Sequence, residues 1–519
     1  MSAPFPRIKF PELFFGFVAP IGTDITSSIS EFEAYLKRET YRVEIVKVTD
    51  IFRVLKDVIE PHLSLKTTPL FDRYETYISY GDLLRQQFND NAVLARTSIF
   101  QINAKRNRPK MSAQTGYEKV AYIIHQFKRA EEIDLLRAVY GRLFFQVSVY
   151  SSKATRVSYL AQKFESDFSS NNGASSRALA EQIIKRDEKE HDNQFGQNVS
   201  DIFHDADYII NNDIAANTVR DQVCRFCELI FGANFISPNK QEYGMFLAKS
   251  AALRSLDLSR QVGAAIFTPD GDIVALGCNE VPKANGGAYW CDEVHDDRDY
   301  LRTVDPNEKR KKEIMEEMAQ SISNAVPSAN RHKIEQAISD SKFMDALEYG
   351  RIIHAEMAAI TDAARTGRTI ANGQMYCTTF PCHMCAKHIV AAGIKTVTFL
   401  EPYPKSLAER LHSDSISVES GDRGKYRDYP ATEFIHFFGV TPRRYRELFE
   451  GTKRKSNGEF VKYKEGSRQP IMNYIYPFYE RLELEIIEPK SEFMRKLRAL
   501  ANKKSNTRGK SERRKHNKG

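Results

Sequence analysis

Two short motifs limit what this chain can fold into more than anything else in it: His354-Ala355-Glu356 and, after an apolar stretch, Pro381-Cys382-His383-Met384-Cys385. Helical patterns run from His354 to Arg365 and from Cys382 to Ala392, with a strand over Gln374 to Thr378 between them. Cys382 and Cys385 are three apart, so on a helix they share a face and can grip one ion. Pro381 suits a helix start because its missing N–H would be unpaired there anyway, and the helix N-terminus favours two thiolates. His354 and Glu356 are two apart, about 200° around a regular helix, so they should not both hold the same ion. A Cys/Cys/His set leaves the fourth tetrahedral position open, which separates a catalytic zinc from a structural one. Zn2+ is therefore the expected cofactor, with His354, Cys382 and Cys385 as its ligands. It can bring the pKa of a bound water from 15.7 towards roughly 7, and the Glu356 carboxylate is placed to take that proton and pass it on.

A lone CxxC carries far less. Cys224-Arg225-Phe226-Cys227 has one, yet Val223, Phe226, Cys227 and Ile230 follow helical core spacing and read as a packed face. A four-cysteine structural zinc made with Cys382 and Cys385 would leave His354 and Glu356 unexplained. His383 and His388 read as residues around the site, Cys377 as core, and Cys291 with His295 as a weaker second metal pair. Seven cysteines are too few and too odd in number for a disulfide framework, which points to a reducing compartment, the cytoplasm.

At 519 residues the chain exceeds the roughly 250 to 300 that one hydrophobic core serves, so two domains are expected. No apolar run approaches the roughly 18 to 20 residues of a membrane span, and the N-terminus reads as a first strand with no secretory signal. The net charge of +8 is misleading. From Arg495 onward eleven lysines and arginines face one acid, Glu512, which leaves the rest of the chain near −2. Residues 495–519 read as a basic, disordered tail.

The fold class is α/β. Leu13 to Val18 is an apolar strand followed by the turn Ala19 to Asp24 and a helical pattern over Ser28 to Leu36. Strand patterns return at Val43 to Val48, Val120 to His125 and Leu143 to Val149, with helices between, for example Ala130 to Tyr140, so a mostly parallel sheet is expected over a first domain, 1–235. The second domain, 240–490, opens with a helix over Phe246 to Leu256. Strands at Gly263 to Phe267 and Ile273 to Gly277 follow, split by the hairpin turn Thr268-Pro269-Asp270-Gly271. A charged segment near 295–345 reads as an insertion of solvated helices.

The motifs of the second domain resemble the CMP/dCMP-type branch of the cytidine deaminase superfamily. The resemblance covers residues 245 to about 403 and rests on Ser259-Arg260-Gln261-Val262-Gly263-Ala264, Gly277-Cys278-Asn279-Glu280-Val281-Pro282, the two motifs above, and Ala392-Gly393-Ile394. It implies a three-layer α/β/α domain that removes ammonia hydrolytically from an amino-heterocycle. It further implies that Asn279 helps hold the sugar and that the Ala355 backbone meets the base. Arg260 is a candidate for substrate charge, as is Lys283.

The first domain is similar to P-loop nucleotide kinases, and the two-part order resembles bacterial anti-phage dCTP deaminases. Tyr74 through Gly81 to Arg85 looks like a monophosphate-kinase substrate segment and Arg156 like a lid arginine. A working loop needs G-x-x-x-x-G-K-[ST], whereas here Phe17, Thr23 and Asp24 replace the first glycine, the lysine and the Ser/Thr. Phosphoryl transfer is not expected, but Gly16, Gly22, Thr23 and Asp24 remain nucleotide-binding candidates through backbone N–H groups.

The expected function is thus zinc-dependent deamination of free deoxycytidine nucleotides, dCTP or dCMP, draining the pool in anti-phage defence. A regulatory nucleotide or RNA at the N-terminal domain, a homo-oligomer and no membrane complete the expected partners. A nucleic-acid base deaminase using the basic tail, and a non-enzymatic zinc scaffold, are the alternatives.

Overall fold

In a computed structural model, the structure describes residues 8–59, 63–106, 118–167, 175–188, 193–326, 330–346, 348–402, 406–419, 421–451, 454–463, 468–472, 476–488 and 492–499. The chain divides into two compact units, Met1–Ser237 with Phe438–Gly519, and Pro238–Phe437.

In the first unit β1 (Leu13–Val18), β2 (Arg42–Lys47), β3 (Val120–His125), β4 (Phe144–Tyr150) and β5 (Tyr208–Asn211) form a parallel sheet in the order β2-β3-β1-β4-β5. β1 is central, paired on both edges, and all six of its residues are buried, which is why its sequence is a continuous apolar run. Its side chains alternate between two helical layers. Phe14 stacks on Tyr140 and meets Tyr479, placing the helices Ala130–Tyr140 and Tyr479–Ile487 on one face. Phe15 meets Phe32, placing the helix Thr26–Arg38 on the other.

The sequence reading carries the second domain to residue 490, but from Phe438 onward the chain belongs to the first unit. Gly439–Val440 pairs antiparallel with β5, and Arg444 Nε donates to the buried Asp207 carboxylate at 3.0 Å. Arg106 lies between the fully buried Glu12 and Glu483, 2.8 Å from Glu12 Oε2. Gly439, Val440, Arg444 and Glu483 each meet partners more than 200 residues away along the chain, so no local pattern could have announced the return. Of the tail expected from residue 495, residues 495–499 are helical, and 500–519 lie outside the described residues.

The second unit holds β6 (Gly263–Phe267), β7 (Ile273–Cys278), β8 (Gln374–Thr379), β9 (Thr396–Glu401), β10 (Ile416–Val418) and β11 (Thr432–His436), in the order β10-β11-β9-β8-β6-β7. β6 runs antiparallel to both neighbours and the strands from β8 outward are parallel. Met375 and Cys377 of β8 share a core with Ala355, Ala359, Cys385 and Ile389, so the helices Ala355–Arg365 and His383–Ala391 cover one face. Tyr376, pointing the other way, packs against Gly244 of the helix Lys240–Ala252. Three layers result. That first helix begins earlier than the expected Phe246, because Asn239 accepts from Glu242 N and Glu242 reciprocates, a capping box readable in the sequence.

The segment near 295–345 carries the helices Pro306–Ala325 and Arg331–Ser339, whose side chains are mostly exposed. Its base is fixed by charge: Arg298 grips Asp296 with two nitrogens and approaches the buried Glu280, and Arg351 pairs with Asp299 at 2.9 Å. Backbone bonds between Glu280 and Ile353 then deliver the chain to His354.

Candidate active site

His354 and Cys382 are the N-cap residues of the two helices on one face of the second sheet, each with an extended backbone, ψ 153° and 167° respectively. The expectation placed both inside their helices. An N-cap residue keeps a non-helical ψ, so its side chain turns back across the helix end rather than along a helical face. That is how His354 separates from Glu356, and how Cys382 faces Cys385 from just outside the first turn. Pro381 accordingly sits one residue before the cap.

The helix Ala355–Arg365 reaches this position because it presents small residues, Ala355, Ala359 and Ala363, to the sheet. Gly277 on β7 lies beneath it: a Cβ there would stand 2.1 Å from the Ala355 carbonyl oxygen and 2.6 Å from Ala359 N. Glycine is required by this close approach.

His354 Nδ1 is 3.3 Å from Cys382 Sγ and 3.3 Å from Cys385 Sγ, and the three possible ligand atoms lie within 4.8 Å of one another. A tetrahedral zinc with ordinary Zn–S and Zn–N bonds separates such donors by roughly 3.6 Å, so the set fits the ion. Among the described residues no other group of three or more metal-binding side chains converges, and Cys291 is exposed. Cys377 is core, as are Val223, Phe226, Cys227 and Ile230.

The electrostatics suit a metal. The Cys382 thiol is held down to about 4, chiefly by its hydrogen bond with Cys385 and then by His354, which keeps one thiolate ready. The Cys385 thiol is pushed up, first by its hydrogen bond to Cys382 and then by burial. Glu356 is 4% exposed, and burial raises its carboxyl above the usual range against the pull of His354, while Cys385 hydrogen-bonds to it. A buried carboxyl beside the ligands, with a raised proton affinity, is suited to holding and moving a proton.

Asn279 is buried nearby, but its amide is largely engaged. It accepts from Val262 N at 2.7 Å and donates to Asp257 Oδ2 at 2.7 Å and to the Arg260 carbonyl at 2.8 Å. It fixes the loop 257–262 against the site. Arg260 projects from that loop and pairs with Glu401 at the end of β9, 2.8 Å away and half exposed. Lys283 is ion-paired with Glu293. Ala355 is fully buried. Asp257, Glu401 and Glu280 were not singled out from the sequence. The only available signal was the turn-forming Asp257-Leu258-Ser259, whose carboxylate accepts from Ser259 N.

In the first unit Gly22 has φ +88° and Thr23 follows it in the tight turn after β1. Asp24, one residue before the N-cap Ile25 of the following helix, accepts from Thr26 N within the turn. Gly16 is not in that turn. It lies inside β1, where a Cβ would meet the Phe144 ring at 2.6 Å, so it serves strand packing and cannot contact a ligand at the loop. Arg85 is fully buried between Asp82 and Glu132, and Arg156 pairs with Glu188.

Residues 238–401 match the cytidine and deoxycytidylate deaminase zinc-binding region. The deoxycytidylate deaminase of Enterobacteria phage T2 is 48% identical over 54 residues, 10% of this chain and 29% of that protein. ComE operon protein 2 of Bacillus subtilis (strain 168) is 45% identical over 87 residues, 14% and 46%. Human deoxycytidylate deaminase is 30% identical over 159 residues, 31% and 63%. The chain thus spans less than two thirds of the length of these relatives. A dCMP deaminase structure from cyanophage S-TIM5 aligns with 39% of this chain and all of its own at 16% identity, with a TM-score of 0.21. The family match supports a cytidine deaminase superfamily domain and, with the His354, Cys382 and Cys385 cluster, zinc as its metal. Among the described residues no helix is long and apolar enough to cross a membrane.

Proposed function

We propose that the chain deaminates free deoxycytidine nucleotides, dCMP or dCTP, by zinc-dependent hydrolysis at the His354, Cys382 and Cys385 centre. The observation that carries this reading is the buried Glu356 carboxyl standing beside a three-ligand cluster, an acid that a structural zinc would not need. The relatives named deoxycytidylate deaminase support the substrate class.

Bound zinc would act as a Lewis acid that makes a water nucleophilic near neutral pH. Glu356 would carry the two protons of that water to the cytosine in turn, one to ring N3 and one to the C4 amino group, so that ammonia leaves and the water oxygen remains as the C4 carbonyl. The Ala355 backbone at the helix start meets the base. Asn279 and Asp257 would hold the loop 257–262 at the sugar side, and Arg260 on that loop, here paired with Glu401, would exchange that partner for substrate charge.

In an anti-phage setting this activity would drain the nucleotide pool, and the first unit would sense a nucleotide or a phage signal through the turn Gly22-Thr23-Asp24. The setting we assign is the cytoplasm, with the chain acting as a homo-oligomer. Seven free cysteines support a reducing compartment, and exposed apolar side chains such as Leu253 and Leu258 support assembly.

The test is to incubate the zinc-loaded protein with dCMP, dCTP, CTP, cytidine and a cytosine-containing oligonucleotide and to separate the products by chromatography. Conversion of dCMP or dCTP is expected. Turnover of the oligonucleotide alone would overturn the reading.

A further inference from the structure

A second charged group, in the first unit, has no part in the metal centre. The chain leaves β1 towards β2 on one side and β4 towards β5 on the other, so the turn that holds Ile21 and Gly22 lies at the switch point beyond their C-terminal ends, where open α/β sheets form a ligand crevice. Three consecutive residues at the end of the helix Ser176–Glu188 close it. Arg186 pairs with Glu75 at 2.7 Å. Glu188 accepts from Arg156 at 2.8 Å. Between them the fully buried Asp187 accepts from the Ile21 backbone N–H at 2.7 Å with one oxygen and from Lys128 Nζ at 2.7 Å with the other.

A backbone N–H at the turn after β1 and an ammonium just after β3 are the donors a phosphate oxygen would take. Here a carboxylate of the chain takes them. Further buried donors of this region have no partner among the described residues: Arg156 Nη1, Ser151 Oγ and Thr23 Oγ1. Arg156 and Ser151 are each more than nine-tenths buried and are joined, since Arg156 Nε donates to the Ser151 carbonyl. Arg156 also packs on the turn itself, where a Cβ on Gly22 would stand 2.9 Å from its carbonyl oxygen. A buried guanidinium donor left unpaired beside this turn suits an acceptor with more oxygens than the Asp187 carboxylate supplies. Asp24 adds a negative charge at the turn, but its Oδ1 is occupied by Thr26 N.

We propose that this crevice binds a phosphate chain and that Asp187 is its built-in competitor, the carboxylate and the ligand contending for Ile21 N–H and Lys128. Because Arg186 and Glu188 flank Asp187 on the same helical turn, a ligand that displaces the carboxylate also loosens the clamps to Glu75 and Arg156. The crevice is thereby a switch that reports phosphate binding as release of the helix end. This rests on the reading that the first unit receives a phosphorylated ligand and adds the residue that gates it.

The experiment uses the full zinc-loaded chain with two probes, inorganic tripolyphosphate and ATP, measured by titration calorimetry. Asp187→Asn keeps an oxygen for Ile21 N–H and removes the charge. It should bind the probes at least about tenfold more tightly than the unmodified protein, and adding Lys128→Ala should undo the gain. The tighter probe identifies the source, a free polyphosphate or a nucleotide. On the unmodified protein, hydrogen exchange at saturating probe should rise over residues 183–188, a readout that needs no variant to fold. Binding with equal affinity in both proteins and no change in exchange overturns the gate alone. No binding of either probe to any of the proteins overturns the underlying reading with it.

Discussion

His354 Nδ1 and Cys382 Sγ stand 3.3 Å apart although 28 residues separate them in the chain. Both belong to helix N-caps, and the strand β8 between the two helices sets the distance. Cys382→Ser should therefore cut zinc affinity by more than about 100-fold, the upper range for mere outer-shell partners. Metal content after dialysis against a mild chelator checks this, with loss of zinc and of ammonia release expected together.

Gly277 has no room for a methyl group beneath Ala355 and Ala359. Gly277→Ala should destabilise the second unit by about 1–3 kcal/mol, the range for overpacking, and displace the helix that carries Glu356. Urea denaturation gives the first quantity. Turnover falling while zinc is retained would show the second.

Arg106 neutralises two fully buried carboxylates, Glu12 and Glu483, the latter on the returning C-terminal segment. Burial raises the Glu12 carboxyl against the pull of Arg106. Arg106→Met leaves both acids without their cation and should cost about 3–5 kcal/mol. Glu483→Gln, which leaves Arg106 paired with Glu12, should cost less. Denaturation midpoints in the order unmodified, Glu483→Gln, Arg106→Met are expected.

His125 at the end of β3 is held down to about 4, first by burial and then by Lys47 and Lys128, with Asp50 opposing. The unfolded chain protonates this group near 6.5, so below that pH it binds more protons than the folded state. The contribution is intact above 6.5 and is lost as pH falls from 6.5 towards 4. His125→Asn should show a smaller fall in melting temperature between pH 7.5 and 5 than the unmodified protein. Parallel falls would contradict the assignment.

The parts of this molecule that were readable in the sequence are those held by local pattern. β1 shows as a run of buried apolar residues, Ala130–Tyr140 as a helix within its expected limits, and the converging His354, Cys382 and Cys385 as two spaced motifs. What escaped depends on distant partners. Phe438 onward joins the first sheet through Asp207 and Arg444, 237 residues apart, and neither residue has a neighbour that reveals the other. Asp257 and Asn279 meet only because β6 and β7 pair. Gly16 was named a nucleotide-binding candidate, while its real constraint is the ring of Phe144 on an adjacent strand. Asp187, the residue that fills the crevice of the first unit, is one acid among many in a charged helix until Ile21 and Lys128 are seen beside it.

The central claim divides the site between three ligands and one proton carrier, and the Glu356→Ala variant tests that division directly. Zinc content and ammonia release from dCMP and dCTP are measured on the same preparation. Retained zinc with ammonia release lowered by at least about 100-fold is expected. Retained zinc with an undiminished rate would contradict the role given to Glu356.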